Sequence, residues 1–208
     1  MSFVPARRDT EAETETTPSR ITLRNVLIAA VSEIVVAMVI IHYTQPGAIV
    51  AMAQGTVPSL QSAGIGLAAG IGMAALQVAG INASQRWRLF LLRAVGPTPL
   101  STAQIVTIGI IVGIAEELLF RAAMQPLLGI AFTSLIFAAV HWNYAALRGP
   151  RETLALSILA FALIFVISVV IGHVFATFGL GAAIVAHASY DIIVLLKYRE
   201  LVRTSNSR

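Results

Sequence analysis

Long apolar segments recur along this chain, and they constrain its fold more than any other feature of the sequence. A run of about 17 to 25 apolar residues is long enough to cross the hydrocarbon core of a bilayer as a helix. Strands with an open edge would leave backbone groups unpaired in lipid, so these segments are expected to be helices. The predicted fold is an all-α, polytopic membrane helix bundle of about six transmembrane helices. The six segments are 26–42, 63–83, 103–128, 130–142, 154–174 and 180–196.

The composition excludes several other classes of protein. Of the 208 residues, 57% are hydrophobic and 12% are charged, whereas soluble domains carry about 25% charged residues. The absence of cysteine removes disulfides, thiol nucleophiles and cysteine metal ligands. A net charge of +4 would suggest a nucleic-acid partner for a soluble protein, but in a membrane protein basic residues mark cytoplasmic loops. The expected partner is therefore the lipid bilayer and not nucleic acid.

The positions of the basic residues predict the orientation of the bundle. Thirteen of the fourteen Lys and Arg residues lie before the first segment, after the second, after the fourth or after the sixth. Six spans with both termini in the cytoplasm place all thirteen on the cytoplasmic side. The predicted organisation is a disordered cytoplasmic tail over 1–20, a transmembrane domain over 21–200 and a cytoplasmic tail over 201–208. The segment 84–102 mixes apolar and basic residues, which indicates an interfacial helix.

Ionisable residues inside the spans mark the candidate site, because each costs about 2.5–3.5 kcal/mol at the centre of a membrane helix. Glu33, His42 and His173 stand alone and are interpreted as structural or interfacial. The others fall into three short patterns, one each in the third, fourth and sixth segments. These patterns contain Glu116, Glu117 and Arg121, then Phe137 and His141, then His187 and Asp191.

Spacing along a helix predicts how the residues of the first two patterns are used. Glu117 and Arg121 are four residues apart on one helical face, which favours a structural ion pair. Glu116 is rotated about 100° from Glu117, so it faces a different neighbour and needs its own partner. Phe137 is expected to pack one turn away from His141.

Residue depth predicts which of these side chains meet. In an antiparallel helix pair, two residues at equal depth lie the same number of residues before and after the turn. Glu116 and His141 lie almost equally far from the turn predicted at Gly129. Each lies about 12 residues, or about 18 Å, from that turn. Counted from the next outer turn, His187 and Asp191 lie about 12–18 Å deep. The four side chains are therefore expected to converge near mid-membrane or somewhat toward the cytoplasmic side.

The three patterns, in this order on successive helices over residues 103–196, resemble those of the CPBP family. These are the CaaX proteases and bacteriocin-processing enzymes, also called the Abi family. The resemblance implies a prokaryotic intramembrane glutamic endopeptidase that works without a metal or other cofactor on a protein or peptide. It also implies that Glu116 and His141 activate a water molecule. His187 and Asp191 would occupy the oxyanion-binding positions, with Asp191 where eukaryotic members carry Asn.

The chemistry of these groups is consistent with hydrolysis but leaves alternatives open. A carboxylate and an imidazole that share a water can form a general-base pair, and amide hydrolysis also needs a donor for the oxyanion. His187 can donate that hydrogen bond, whereas an ionised Asp191 cannot, so Asp191 is expected to orient His187 or to remain protonated. The same set of residues could serve a zinc metallopeptidase, although the chain has no H-E-x-x-H motif. It could also stabilise a non-enzymatic protein, such as a bacteriocin immunity factor or a scaffold.

Overall fold

The structure is a computed structural model that describes residues 22–45, 58–95, 100–142 and 151–206, and these residues are almost entirely helical. The predicted all-α membrane bundle is confirmed. Predicted tail residues 1–20 and 207–208 lie outside the described ranges. The elements are α1 (Leu23–Thr44), α2 (Leu60–Ala83), α3 (Gln85–Val95), α4 (Thr102–Glu116), a π-helical segment (Glu117–Met124), α5 (Gln125–Val140), α6 (Arg151–Phe178) and α7 (Leu180–Asn206).

Five helical stretches in the described part of the chain are long and apolar enough to cross a membrane. One of them, Thr102–Val140, has 39 residues. A straight helix of that length would extend about 58 Å, about twice the thickness of the hydrocarbon core. The stretch breaks at Gly129, whose φ of 75° and ψ of 168° are nearly confined to glycine. It therefore supplies both the third and the fourth predicted helices, with the turn where the sequence placed it.

Capping residues fix where the helices begin. In α4, the Gln104 N–H donates to the Ser101 hydroxyl at 3.2 Å, and the Ser101 N–H donates to the Gln104 side chain at 2.9 Å. This reciprocal pair is a capping box. Thr22 and Ser59 each accept one capping hydrogen bond at the start of α1 and α2. These caps fix the residue at which each of three spans begins, so the depth of a residue in these spans can be counted from the first residue of its helix.

Helix α7 is central, since it contacts α2, α4, α6 and the π-helical segment. Its contact with α2 is close because the backbone of α2 at Gly66 and Gly70 meets the carbonyl groups of Ala182 and Ala186, where an added Cβ would clash. Small residues four apart permit this kind of approach between membrane helices. Large apolar side chains such as Leu76 stay exposed on the outside of the bundle, where lipid would cover them.

One end of the bundle is called the basic end here; α1, α4 and α6 begin there, and α2 and α7 end there. At this end, Val26 of α1 packs against the cluster that contains Ile105 of α4. Farther from it, Ala37 of α1 packs in a cluster with Ala122 of the π-helical segment. Helix α1 therefore runs parallel to α4, as expected for the first and third of six spans.

Three details differ from the sequence prediction. The third span is not a continuous α-helix, because Glu117–Met124 is π-helical. Helix α7 continues to Asn206, ten residues beyond the end of the sixth apolar segment at residue 196. The interfacial segment does contain a helix, but its Trp87 and Phe90 stack on each other and are buried in a cluster with Leu201 of α7. These two rings therefore anchor α3 to the bundle; residues 96–99 of that segment lie outside the described ranges.

Candidate active site

The turn at Gly129 brings Glu116, at the end of α4, beside His141, which follows α5. Oε1 of Glu116 lies 3.7 Å from Nε2 of His141. One turn closer to Gly129, the rings of Phe120 and Phe137 meet edge to face with their centroids 4.9 Å apart. The two helices thus have the register obtained by counting residues from the turn. A separation of 3.7 Å is too long for a direct hydrogen bond, but it suits two groups that share one water molecule.

The backbone determines which nitrogen of His141 carries the proton. Nδ1 lies 2.8 Å from the carbonyl oxygen of Phe137. A carbonyl oxygen only accepts hydrogen bonds, so Nδ1 carries the proton and donates it. In the neutral imidazole, Nε2 then keeps a free lone pair, and Nε2 is the atom that faces Glu116. The ring of Phe137 packs against the imidazole with centroids 4.5 Å apart, which fixes the ring plane.

His187 of α7 is surrounded by three carboxyl groups. Nδ1 lies 2.8 Å from Oε1 of Glu117, whereas Nε2 lies 3.6 Å from Oε2 of Glu116 and 3.7 Å from Oδ2 of Asp191. Only the contact with Glu117 is a hydrogen bond. The sequence suggested Asp191 as the residue that orients His187, but the short bond that holds the ring comes from Glu117.

Glu117 also forms the ion pair that its spacing from Arg121 predicts. Nε of Arg121 lies 3.1 Å from Oε2 of Glu117, and both side chains are fully buried. Nη2 of the same arginine donates to the hydroxyl of Ser168 in α6 at 2.8 Å. The guanidinium carbon lies 5.5 Å from the centre of the Phe137 ring. The Glu117 carboxylate therefore contacts α7 directly, at His187, and is linked to α6 through Arg121.

The π-helical segment that carries Glu117 has a cause in the sequence. The N–H of Gln125 donates to Phe120 five residues earlier, which is the π-helical pattern. The next residue, Pro126, has no N–H, so the carbonyl of Ala122 lacks its usual helical donor. The side chain of Gln45, just after α1, donates to that carbonyl and to the next one, both at 3.2 Å. The proline is a signal visible in the sequence, but the partner from α1 is not.

A cavity of about 360 Å³ lies beside the cluster. His141, His187 and Asp191 line part of its wall, and aliphatic side chains from α1, α4, α6 and α7, such as Val26, line most of the rest. Its volume falls within the range of about 300–1,000 Å³ that is typical of ligand pockets. Next to the two histidines, Oε2 of Glu116 is buried without a hydrogen-bond partner. An apolar cavity with polar groups on one side can accommodate a peptide segment with apolar side chains.

The cluster offers acid–base and hydrogen-bonding groups. Glu116 supplies a carboxylate oxygen, His141 a lone pair and His187 a ring N–H. Within the described ranges, no three His, Asp or Glu side chains are placed to hold one metal ion.

Comparison with known protein families gives a match over residues 98–193 to the family described as type II CAAX prenyl endopeptidase, Rce1-like. This segment belongs to the Rce1-like family. The match confirms the CPBP identification made from the three patterns. The Rce1-like segment contains every residue of the cluster around Glu116. Together with the apolar helices, the match indicates an integral membrane protein of the CAAX-protease type. Comparisons with curated proteins and with solved structures gave no match.

The ionisable residues that the sequence analysis set aside differ in their surroundings. His42 and His173 are exposed on the surface of the bundle. Glu33, in contrast, is half-buried in α1 and lies within electrostatic range of Glu116 and both site histidines. No sequence signal indicates this position, because only the structure shows which face of α1 lines the cavity.

Proposed function

We propose that this protein is an intramembrane endopeptidase that hydrolyses a peptide bond with a water molecule activated by Glu116 and His141. The position of Glu116 carries the proposal. Its carboxylate lies between Nε2 of His141 and Nε2 of His187, at 3.7 and 3.6 Å. Its buried Oε2 has no hydrogen-bond partner. Membership of the Rce1-like family supports an endopeptidase of the membrane.

In the proposed reaction, the water lies beside Glu116 and His141 and hydrogen-bonds to the Glu116 carboxylate and to Nε2 of His141. Glu116 removes a proton while the water oxygen bonds to the substrate carbonyl carbon, and the carbonyl π electrons move onto oxygen. His187 donates from Nε2 to this oxyanion while its Nδ1 donates to Glu117, so the catalytic form of His187 carries both protons. The nearby Asp191 balances the resulting charge. When the oxyanion collapses, the C–N bond breaks, and the proton held by Glu116 passes to the leaving amine.

The test is cleavage of a peptide library by purified protein in lipid nanodiscs, with Glu116→Gln as the critical variant. Glutamine keeps the shape and the hydrogen bonding of glutamate but removes the base. Loss of a general base lowers the rate by about 10²–10⁴-fold. His141→Ala should lose cleavage in the same way. The control is Glu152→Gln, since Glu152 is an exposed carboxylate at the start of α6.

The alternatives give different results in the same assay. Near-normal cleavage by correctly folded Glu116→Gln would exclude Glu116 as the base. Loss of cleavage on chelation, restored by zinc, would replace the proposal with a metallopeptidase. An unchanged cellular phenotype after Glu116→Ala would favour a non-enzymatic protein such as an immunity factor or a scaffold.

We also propose that the basic end of the bundle faces the cytoplasm of a prokaryotic cell and that both terminal tails lie on that side. The asymmetry of the basic residues supports this orientation. His141 and Asp191 would then be reached from the cytoplasmic half of the membrane by a protein or peptide substrate.

A further inference from the structure

Glu33 of α1, outside the Rce1-like segment, is an acidic group within electrostatic range of Glu116 and both site histidines. We infer that Glu33, with Asp191 at a similar depth, favours substrates that carry a lysine or arginine within about two residues of the scissile bond. This inference rests on the proposed function and defines the substrate class of the same site.

Glu33 lies on the same helical face of α1 as Val26, a residue that lines the cavity. Val26 lines the cavity, and Glu33 follows it by seven residues, which is two turns along the same face. Ala30 and Ala37, the neighbours of Glu33 along this face, are buried against the bundle. Glu33 therefore lies on the protein-facing stripe of α1, where it is half-buried and follows the residue that lines the cavity.

The register of α1 against α4 gives the depth of Glu33. Val26 packs near Ile105, and the Gln45 side chain reaches the carbonyl of Ala122. Each residue of α1 therefore lies level with the residue of α4 or the π-helical segment that is about 78 positions later in the chain. Glu33 is then level with the α4 turn before Glu116, about one helical turn closer to the basic end. This turn contains Val112, which lines the cavity.

Asp191 occupies the corresponding place on α7. It lies four residues, or one turn, beyond His187 in the direction of the basic end, and it lines the cavity. Glu33 and Asp191 therefore lie at a similar depth, one turn from the groups proposed to act on the peptide bond. One turn is about 5.4 Å, which an extended peptide covers in about two residues.

Acidic groups outnumber basic groups among the described site residues. Four carboxyl groups lie near one arginine and two histidines. Arg121 donates to Glu117 from Nε and to Ser168 from Nη2, which holds it at a distance from Glu33. No hydrogen bond to Glu33 is present among the described residues. A substrate cation within about two residues of the scissile bond would pair with the Glu33 carboxylate in a region where water screens charges poorly. The groups that make up this count are Glu33, Glu116, Glu117 and Asp191 with Arg121, His141 and His187.

The experiment measures charge preference with a proteome-derived peptide library and the full-length protein in nanodiscs. Mass spectrometry identifies the cleaved bonds, and the best substrate is then resynthesised with arginine, citrulline or glutamate at the preferred position. Citrulline has the shape of arginine without its charge. We expect kcat/KM to be about tenfold higher for the arginine peptide than for the citrulline peptide, because one charge-assisted hydrogen bond is enough to give a difference of that size. Glu33→Gln should reduce this ratio toward one, and Glu33→Lys should favour glutamate.

The control is again Glu152→Gln, which should keep the arginine preference. Glu116-dependent cleavage with equal kcat/KM for arginine and citrulline would overturn this inference and leave the proposed function intact. The same arginine preference in wild type and in folded Glu33→Gln would also overturn it. Absence of any Glu116-dependent cleavage would overturn both proposals.

Discussion

Oε1 of Glu117 and Nδ1 of His187 lie 2.8 Å apart, although the two residues are separated by 70 positions in the chain. The other oxygen of the same carboxylate accepts a hydrogen bond from Arg121 at 3.1 Å. The buried ion pair and the proposed catalytic cluster are therefore parts of one network. A change at Glu117 should affect both the folding of the bundle and the orientation of His187, whereas a change at Arg121 reaches the histidine only through Glu117.

Substitutions of these two residues should separate stability from catalysis. Breaking a buried ion pair costs about 3–5 kcal/mol, so both Glu117→Gln and Arg121→Ala should lower the yield of folded protein and its thermal midpoint in detergent. Only Glu117→Gln should also reduce cleavage per folded molecule, because a neutral amide holds a protonated His187 less strongly. The measurement is cleavage normalised to the monodisperse fraction in size-exclusion chromatography.

Arg86→Ala is the control for loss of an arginine, since Arg86 is largely exposed and lies 3.9 Å from Glu152. It should leave yield and cleavage near wild type. If Glu117→Gln had normal cleavage per folded molecule, the bond to His187 would have no part in the reaction.

Gln45 should stabilise the π-helical segment from outside it. Gln45→Leu removes the side-chain donor to the carbonyl groups of Ala122 and Ala123 and leaves that of Ala122, which lacks its helical donor, unsatisfied; this costs about 1–3 kcal/mol for a buried group. We expect a lower thermal midpoint. The adjacent Thr44→Ala removes only a hydroxyl that donates within α1 to Ile40, and should have little effect. Equal midpoints for the two variants would contradict the role of Gln45.

The depth of the site could be predicted from the sequence because it depends on two simple quantities. A helix rises by a constant distance per residue, and Gly129 marks the turn, so Glu116 and His141 could be placed level without any coordinates. The ion pair of Glu117 with Arg121 could likewise be predicted from a spacing of four residues.

The remaining parts of the site depend on contacts between distant segments. The bond from Glu117 to His187 requires the rotation of α7 about its axis, which one helix pattern cannot give. The donor from Gln45 requires the register of α1 against the π-helical segment. Glu33 was interpreted as structural because it stands alone in the sequence, and its relation to the site appears only when α1 is packed beside α4.

The orientation of the bundle can be tested with topology reporters. Fusions after Gly55 and after Arg148 should report opposite sides of the membrane, with Arg148 on the cytoplasmic side, because basic loops favour that side. The measurement is the activity of paired reporters that function only in the cytoplasm or only outside it. If both fusions reported the same side of the membrane, the six-span arrangement would be wrong.

Close packing of α2 on α7 should be needed for both stability and catalysis, and two glycines of α2 provide a matched test. A Cβ at Gly70 would clash with the carbonyl oxygen of Ala186 and the hydroxyl of Ser189, whereas nothing lies within 4 Å of a Cβ at Gly72. Overpacking of this kind costs about 1–3 kcal/mol. Because Ala186 immediately precedes His187, relief of the clash by movement of α7 would also displace the imidazole from Glu116. We expect Gly70→Ala to lower both the thermal midpoint and cleavage per folded molecule, and Gly72→Ala to change neither. Similar values for the two variants would show that the α2–α7 contact does not position His187.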